Sequence, residues 1–476
     1  MKVLLVNPPR FKGTPVVREI RCAGLSPISV YPPIKLAYTA SMLEANNIEV
    51  KILDANAFDY SYEDVKKYIE NYNPSVVIFT SSLTTISYDV LVAKLAKEIN
   101  KDIITVLDDS HIAPVAPEKV LNKFGFVDVL IGGESEFTIM DLINNIDSLE
   151  NVKGISYIKN GSFIRTENRE PEDINLLPPP AYHLLPIDRY FSLTFARKKP
   201  FGTIITSVGC PFNCIFCIVG GSTVWRGYGK RWRAKKADKV LDEIEYLHKH
   251  FGIKSLYFFD ETFTVDKNRV IEICKGIVER GIDIEWSCNS RVDTVNEEVL
   301  QHMKLAGCWN ICYGVESGSE LLLSNANKST TAKKAKEIFK ISKKLGLSAS
   351  ASFMIGLPGE TWQTIEETLD FAKELDPSRA QFVITTPYPG TLLYEEVKKQ
   401  GLIEQDYCFS GFDAYCVDSA PVSNTSNMSA GELLDAQKYI YKSFYMRPSY
   451  LIRILLRAKS LTEIYNLIKA RRYVSE

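Results

Sequence analysis

The sequence has neither an excess of charge of one sign nor a long hydrophobic run. Its 57 lysine and arginine residues nearly balance its 58 aspartate and glutamate residues, for a net charge of -1. A nearly neutral chain has no global field to draw it to polyanions, so no nucleic-acid partner is expected. No apolar stretch reaches the roughly 18 residues of a membrane span, which excludes an integral membrane protein.

The sequence also lacks a signal peptide and the common nucleotide-binding motifs. The opening MKVLLVNPPR has neither the apolar core nor the cleavage site of a signal peptide, so we expect a cytoplasmic protein. There is no Gly-x-Gly-x-x-Gly or Walker sequence. A nicotinamide or ATP site is therefore poorly supported.

Cysteine is scarce before residue 210, where Cys22 is the only thiol, and then occurs at Cys210, Cys214 and Cys217. This Cys-x3-Cys-x2-Cys run follows an apolar strand and is interleaved with Gly, Pro and Asn. Those are loop residues, so three buried structural cysteines are the weaker interpretation. A closed iron–sulfur cubane or structural zinc site takes four ligands, and no fourth cysteine lies nearby. The run predicts a cluster with one open iron.

The spacing of these cysteines resembles that of the radical S-adenosylmethionine (SAM) superfamily. The resemblance implies a 4Fe–4S cluster whose open iron chelates the amino and carboxylate groups of SAM. Reduction of the cluster would then cleave SAM to a 5′-deoxyadenosyl radical. The other cysteines fall mostly within apolar strand and helix patterns, and we expect them to be core or surface residues.

The first 150 residues alternate apolar strands with helical patterns, as in an α/β doubly wound parallel sheet. Strands are predicted at residues 2–7, 49–54, 76–81, 103–107 and 127–131. Ligands bind such sheets beyond the carboxyl ends of the strands. The candidate cofactor-binding residues that follow those ends are Asn7, Asp54, Ser81, Ser82, Leu83, Thr84, Gly132, Gly133 and Glu134.

This N-terminal unit, joined to the three-cysteine loop, resembles the cobalamin-binding radical SAM family over most of the chain. The likeness is carried by LLVNPP, YPPIKLAYTASMLE, the Ser/Thr-rich loop 81–85 and VDVLIGGESEFT. The resemblance implies a Rossmann-like cobalamin-binding domain over residues 1–150. The loop 81–85 and the turn 132–134 would then line the nucleotide tail and corrin edge of base-off cobalamin.

His111 lies in a run that is similar to a cobalt-binding motif. The run from Asp109 through His111 to Pro114 is similar to the Asp-x-His-x-x-Gly motif that gives cobalt an axial histidine in other cobalamin proteins. Here proline replaces the final glycine, and the run follows the fourth strand instead of the first. We therefore expect His111 to be a loop residue near the corrin or a hydrogen-bonding group, and not a cobalt ligand.

Three further regions are predicted beyond the N-terminal domain. Residues 151–200 form a linker, with a hairpin turn at Asn160-Gly161 and a stiff proline-rich connector. Residues 201–400 contain six strand-like segments separated by helical patterns, matching the partial (β/α)6 barrel of radical SAM enzymes. Residues 401–476 are expected to be mainly helical, and the segment 448–457 could pack on the barrel or contact a membrane surface.

The predicted strand ends of the barrel carry the candidate SAM-binding residues. Asp260 and Glu261 stand where the superfamily usually has Gly-Gly-Glu, so the resemblance assigns one of them to the SAM ammonium. Arg291 could pair with the SAM carboxylate, the alternative being a surface ion pair with Asp293.

The resemblance also assigns residues at two further strand ends to parts of SAM. Glu316 is assigned to the ribose hydroxyls, and the turn containing Gly356 and Pro358 to adenine. The alternative in both cases is a helix cap.

The leading functional expectation is a methyltransferase that acts on an unactivated carbon. The resemblance implies that one SAM methylates cobalamin and that a second gives the radical that abstracts a substrate hydrogen, after which methylcobalamin supplies the methyl group. One alternative is an oxidative cyclase or another radical reaction without methyl transfer. Another is a non-enzymatic iron–sulfur protein, which would want a fourth cysteine near the loop.

The sequence leaves the partners open. An electron donor such as ferredoxin or flavodoxin is expected. The substrate could be a small molecule, a lipid or a protein side chain, and no catalytic side chain of the protein itself is singled out.

Overall fold

A computed structural model describes residues 1–19, 22–24, 29–109, 115–222, 232–402 and 426–457. The strands of its N-terminal half are β1 Lys2–Asn7, β2 Val16–Arg18, β3 Cys22–Gly24, β4 Glu49–Asp54, β5 Val76–Thr80, β6 Ile104–Asp108, β7 Val129–Ile131, β8 Ile155–Lys159 and β9 Ser162–Arg165. The helices of this half are Ile34–Ala45, Ala55–Phe58, Tyr62–Tyr72, Ile86–Asp89, Leu91–Ile99, Pro117–Lys123 and Glu136–Asn144.

The N-terminal sheet has the strand order β4-β1-β5-β6-β7-β8-β9. The first five of these strands are parallel, and Leu4 of β1 pairs with Lys51 on one side and Val77 on the other. The order reverses at β1, the point where doubly wound sheets bind ligands. The strands β2 and β3 form a separate antiparallel hairpin.

Helices cover both faces of this sheet, because successive residues of a buried strand point to opposite sides. Val3 and Leu5 of β1 pack in one hydrophobic cluster, whereas Leu4 and Val6 pack in another. The helices Ile34–Ala45 and Glu136–Asn144 contact each other, as do Tyr62–Tyr72 and Leu91–Ile99. The predicted doubly wound sheet is confirmed.

The segment 151–200 is bonded to both halves of the molecule. The predicted hairpin turn is present, with φ of 53° at Asn160 and 77° at Gly161, and the hairpin extends the N-terminal sheet. The Tyr190 hydroxyl donates to Asp54 Oδ2 at 2.7 Å in the N-terminal half, and the Tyr182 hydroxyl donates to the carbonyl of Thr203 at 2.7 Å in the barrel. These bonds hold the two halves in one orientation.

The C-terminal half is a partial barrel. Its strands are β10 Phe201–Ile204, β11 Ser207–Gly209, β12 Trp232–Ala234, β13 Ser255–Phe258, β14 Glu285–Ser290, β15 Cys308–Glu316, β16 Ser348–Ile355 and β17 Ala380–Ile384. Six of them form a parallel sheet in the order β10-β13-β14-β15-β16-β17. The helices of the barrel are Ala237–Phe251, Lys267–Glu279, Glu297–Leu305, Glu320–Asn325, Ala332–Lys344, Trp362–Leu375 and Leu392–Lys399.

One predicted strand differs from the structure. The pattern of residues 203–208 predicts a single strand, but β10 ends at Ile204 and β11 leaves the barrel to pair antiparallel with β12. Both pieces are apolar, so the local sequence does not show the break. It depends on the distant carboxylate of Asp260, to which the backbone N–H of Thr206 donates at 2.7 Å.

The helix Ala430–Tyr445 closes the exposed edge of β17. Gln437 Nε2 donates to the carbonyl of Phe382 at 2.9 Å, and the hydroxyl of Tyr441 accepts from the amide of Phe382 at 3.1 Å. An edge strand offers unpaired backbone groups, and these side chains bond to them. A second helix, Pro448–Arg457, follows, and its membrane contact stays a prediction. Within the described residues, no helix combines the length and apolarity needed to cross a bilayer.

Candidate active site

The three cysteines lie in a tight loop directly after β11. The amide of Cys217 donates to the carbonyl of Cys214 at 3.0 Å, and the amide of Gly220 donates to Cys217 Sγ at 3.4 Å. A Cβ at Gly220 would lie 2.4 Å from the carbonyl oxygen of Phe212, and one at Gly221 would lie 2.1 Å from that of Cys214. Both positions require glycine, because a fixed backbone oxygen occupies the space of any side chain.

The electrostatics of the loop show that its thiols share one neighbourhood. Burial, together with the charges of Cys210, Glu261 and Cys214, raises the pKa of Cys217 to about 12. Burial also raises the pKa of Cys210. The raised pKa values of Cys210 and Cys217 disfavour their thiolates unless a strong cation compensates the charge, and iron of a cluster supplies that compensation.

The loop geometry fits a cluster better than a single ion. Among the described residues, no three His, Cys, Asp or Glu side chains converge on one metal position. In a 4Fe–4S cubane each thiolate binds a different iron, so the thiols need not converge on a point.

Barrel elements anchor the loop from two sides. The amide of Ile215 donates to the carbonyl of Ala326 at 3.1 Å, and the amide of Leu393 donates to the carbonyl of Ile215 at 3.0 Å. Asn327 Nδ2 donates to the carbonyl of Asn213 at 3.0 Å. The positions of the thiols are therefore set by the barrel and not by the loop alone.

Asp260, a predicted SAM contact, holds the start of the cysteine segment. Its carboxylate accepts from Thr206 N at 2.7 Å, Thr206 Oγ1 at 2.6 Å and Ser207 Oγ at 2.6 Å. The residue is 1% exposed. Its oxygens are thus engaged within the protein, whereas the neighbouring Glu261 is half-buried and influences the thiols by charge. Contact of either residue with SAM stays a prediction.

Arg291 lies against the cysteine loop. Its guanidinium makes a two-point ion pair with Asp293, at 2.9 and 2.8 Å, and its Nη1 donates to Cys214 Sγ at 3.5 Å. The ring of Phe212 stacks beneath it at 3.7 Å. The ion pair considered as an alternative is therefore present, but Arg291 is buried and not on the surface.

Glu316 sits at a strained position. It is a non-glycine residue at φ 71°, next to a register shift between β15 and β16. Lys328 Nζ donates to its Oε1 at 2.7 Å, and both side chains are buried. Strained backbone of this kind is concentrated at functional sites. The ribose contact predicted for Glu316 is untested.

The predicted adenine turn follows β16. Gly356 has φ 84°, and its amide donates to Glu360 Oε2 at 3.1 Å. Burial raises the pKa of Glu360 to about 7. The carbonyl of Pro358 accepts from Asn325 Nδ2 at 2.9 Å. Glu360 thus fixes the turn internally, a role that the sequence did not indicate.

The N-terminal candidates meet at the carboxyl edge of the sheet. Asn7 Nδ2 donates to Asp54 Oδ1 at 2.8 Å, and the opposite oxygen of Asp54 accepts from Tyr190. Burial raises the pKa of Asp54 to about 6. Ser82 Oγ bonds to Thr85 Oγ1 at 2.8 Å.

Arg18, which the sequence analysis did not identify, links several polar residues at this edge. Arg18 makes a buried two-point ion pair with Asp89, at 3.0 and 2.9 Å, and its Nη1 lies 3.4 Å from Asn7 Oδ1. Ser81 Oγ also donates to Asp89, at 3.0 Å. The partners are 11 and 71 residues from Arg18 in sequence, so no local pattern could have shown the network.

The remaining N-terminal candidates differ in their surroundings. Leu83 is buried and Thr84 half-buried. Gly133 has φ 87°, and Glu134 forms an ion pair with Arg233 of β12. Gly132 and Glu134 line a small cleft together with Arg169. His111 lies outside the described residues.

A second buried polar group, also missed, lies at the ends of β6 and β7. Lys35 is 3.8 Å from Asp108 Oδ1, Ser135 Oγ donates to Asp108 Oδ2 at 2.8 Å, and the amide of Lys35 lies 3.3 Å from Glu19 Oε1. Burial raises the pKa of Glu19 to about 8 and also raises that of Glu136. The protonated form of Glu19 is therefore favoured at neutral pH.

Comparisons with known proteins agree with this geometry. A model described as B12 binding domain matches residues 20–142, and one described as Radical SAM superfamily matches residues 204–372. An uncharacterized methyltransferase of Pyrococcus horikoshii is 37% identical over 459 residues, covering 95% of this chain and 94% of that protein. The chain belongs to the cobalamin-binding radical SAM family.

Other members of the cobalamin-binding radical SAM family extend the comparison. An anaerobic magnesium-protoporphyrin IX monomethyl ester cyclase of Rubrivivax gelatinosus is 28% identical over 462 residues, covering 95% of this chain and 78% of that protein. The solved methyltransferase TsrM of Kitasatospora setae has a TM-score of 0.68 at 18% identity, covering 84% of this chain and 78% of that one. The solved structure of OxsB with aqua-cobalamin and SAM bound has a TM-score of 0.72 at 20% identity, covering 100% of this chain and 71% of that one.

These findings confirm several predictions. The family, the fold class and the cofactor set of 4Fe–4S cluster, SAM and cobalamin are as expected, and the protein is an enzyme. The methyltransferase expectation agrees with the Pyrococcus relative.

Proposed function

We propose that this protein transfers a methyl group from SAM to an unactivated carbon of its substrate. When bound, its cofactors supply the radical that removes a substrate hydrogen and the methyl group that replaces it. One observation carries the proposal: Ile215 and Phe216 of the cysteine loop pack against the same hydrophobic cluster that contains Leu83 and Ile86 of the N-terminal half. The cysteine loop and the proposed cobalamin edge thus share one hydrophobic cluster.

At the barrel edge, the residues of the chain hold cluster and SAM. Cys210, Cys214 and Cys217 bind three irons, and the carboxylate of Glu261 acts on Cys210 and Cys217 by its charge. Glu261 is better placed for the SAM ammonium than Asp260, whose oxygens bind Thr206 and Ser207. We assign Glu316, Gly356 and Pro358 to the nucleoside, and Arg291 to the carboxylate end of the same site.

At the sheet edge, the chain shapes a cobalamin site mainly through its backbone. Asn7, Asp54 and Ser81 have polar atoms bonded within the protein, so they fix the loops that contact the cofactor. The turn 132–134 and residues 82–84 supply the remaining surface. His111 is assigned near the corrin without a bond to cobalt.

Methyl transfer is favoured over other radical outcomes for a physical reason. A substrate radical formed beside a methyl donor reacts without diffusing, and such proximity contributes much of the available rate gain. Ring-forming oxidation is the second candidate, supported by the 28% identity to the Rubrivivax cyclase.

Product analysis tests the proposal. The anaerobic, cofactor-loaded protein is incubated with a low-potential reductant, SAM labelled in its methyl group and a metabolite extract of the source cell. We expect a labelled, carbon-methylated product that the Cys217→Ala variant fails to make. Consumption of a substrate with no label transferred would assign the second candidate instead.

The proposal also covers the electron donor, the cellular location and the class of substrate. Reduction of the cluster requires a one-electron donor such as ferredoxin or flavodoxin, and clustered cysteines that form no disulfide favour the reducing cytoplasm. We propose a small molecule as the substrate class. A membrane contact through residues 448–457 is the arrangement we would expect for a lipid substrate.

A further inference from the structure

Arg291 is the one positively charged side chain that the described structure places in hydrogen-bonding contact with a cluster cysteine. It follows β14, is 4% exposed, and its Nη1 lies 3.5 Å from Cys214 Sγ. A donor within 4 Å of sulfur is in range for an N–H to sulfur bond, since sulfur is larger than oxygen. Burial removes competing water from this contact.

The orientation of this guanidinium is fixed on two further sides. Asp293 binds Nε at 2.9 Å and Nη2 at 2.8 Å, which leaves Nη1 directed toward the thiol. The Phe212 ring lies 3.7 Å from the guanidinium carbon and holds its plane. Phe212 itself stands between Cys210 and Cys214 in the loop, so loop and arginine position each other.

We propose that Arg291 is a positioning residue that raises the reduction potential of the cluster by donating to the Cys214 thiolate. Hydrogen bonds and positive charge at cluster sulfurs stabilise the reduced, more negative state relative to the oxidised state. One electron enters the cluster from an external reductant, and neither Arg291 nor Asp293 gains or loses a covalent bond. The inference rests on the proposed function only in requiring that the cluster is present.

The same arginine was assigned to the SAM carboxylate, and the two roles make different predictions. A contact with SAM alone would change SAM affinity and leave the potential of the SAM-free cluster unaltered. A donor to the thiolate changes that potential in the absence of SAM. The measurement must therefore be made on the SAM-free, cluster-loaded protein.

The test is a redox titration followed by electron paramagnetic resonance of the reduced cluster. Proteins are reconstituted anaerobically and matched for iron content, and the variants are Arg291→Met, Arg291→Lys and Asp293→Asn. We expect Arg291→Met to shift the midpoint to a more negative potential. Arg291→Lys, which keeps the charge but loses the planar donor, should shift it less. Asp293→Asn removes a negative charge beside the site and should shift the midpoint to a more positive potential. The matched control is Arg280→Gln. Arg280 directly follows the helix Lys267–Glu279 and forms an exposed ion pair with Asp242, so this variant should leave the potential unchanged.

Each outcome decides between the roles. Equal potentials in the wild type and Arg291→Met, with full iron content, would overturn the inference. Weaker SAM binding with an unchanged potential would do so as well, and would assign the residue to SAM alone. If Arg291→Met fails to hold a cluster, the shift in Arg291→Lys still decides the point. A wild-type protein without any cluster would instead contradict the proposed function.

Discussion

The two ligand-binding edges of this molecule are organised in opposite ways. At the edge of the N-terminal sheet, Asn7, Asp54, Arg18, Asp89 and Ser81 form a closed network in which charges and hydrogen bonds are matched within the protein. At the barrel edge, burial and neighbouring charges raise the pKa values of Cys210 and Cys217, and the guanidinium of Arg291 contacts Cys214.

The difference indicates how each edge acquires its cofactor. A closed network is rigid before any ligand binds, so the sheet edge is a preformed surface. Grouped buried thiols are unfavourable until a metal compensates them, so the cysteine loop is completed only by its cluster. The predictions that follow separate these two behaviours.

The largest effect is expected at the barrel edge. Replacing Cys210, Cys214 and Cys217 together with alanine should abolish bound iron and all 5′-deoxyadenosine formation, because no other thiols of the loop can hold the cluster. Iron and sulfide analysis measures the first effect and chromatography the second. Cys274→Ala, a buried thiol in the helix Lys267–Glu279, should keep the full iron content. Cluster retention by the triple variant would contradict the account.

A large effect on stability is expected at the sheet edge. Arg18→Met leaves the buried carboxylate of Asp89 without its charge partner, which should lower the free energy of unfolding by about 3–5 kcal/mol. Urea unfolding measures the change. The double variant Arg18→Met/Asp89→Asn removes the orphaned charge and should recover much of the loss. A single variant as stable as the wild type would show that the network is not closed.

A smaller, pH-dependent effect is expected at Asp54. Its folded pKa of about 6 lies above the ordinary value of 3.8, so the folded state binds more protons between those values. Stability contributed by protonated Asp54 is therefore lost as pH rises from about 4 to about 6, and is constant above that range. Asp54→Asn should lack this component in urea unfolding between pH 4 and 7. Identical pH profiles would refute the assignment.

The smallest effect is expected at His111. If the histidine is not a cobalt ligand, His111→Ala should leave the paramagnetic resonance spectrum of bound cob(II)alamin unchanged. An axial nitrogen adds superhyperfine splitting to that spectrum. Splitting that is present in the wild type and vanishes in the variant would show that the histidine binds cobalt.

Local patterns predicted most of the fold. Apolar runs such as Val76–Thr80 are long enough to mark buried strands. The cysteines lie close enough in sequence to suggest a shared role, which stays a prediction. The bend between β10 and β11 and the Arg18 network could not be predicted, because each depends on partners tens of residues away. Local patterns in one sequence contain no information on contacts between residues so far apart.

The most direct test of the account needs no knowledge of the substrate. Cluster-loaded protein with bound cobalamin is reduced anaerobically and given SAM, and S-adenosylhomocysteine and 5′-deoxyadenosine are counted separately. The account predicts that both products form, and that omitting cobalamin removes S-adenosylhomocysteine while 5′-deoxyadenosine remains. Formation of 5′-deoxyadenosine alone, with cobalamin bound and reduced, would contradict methyl transfer as the function of this protein.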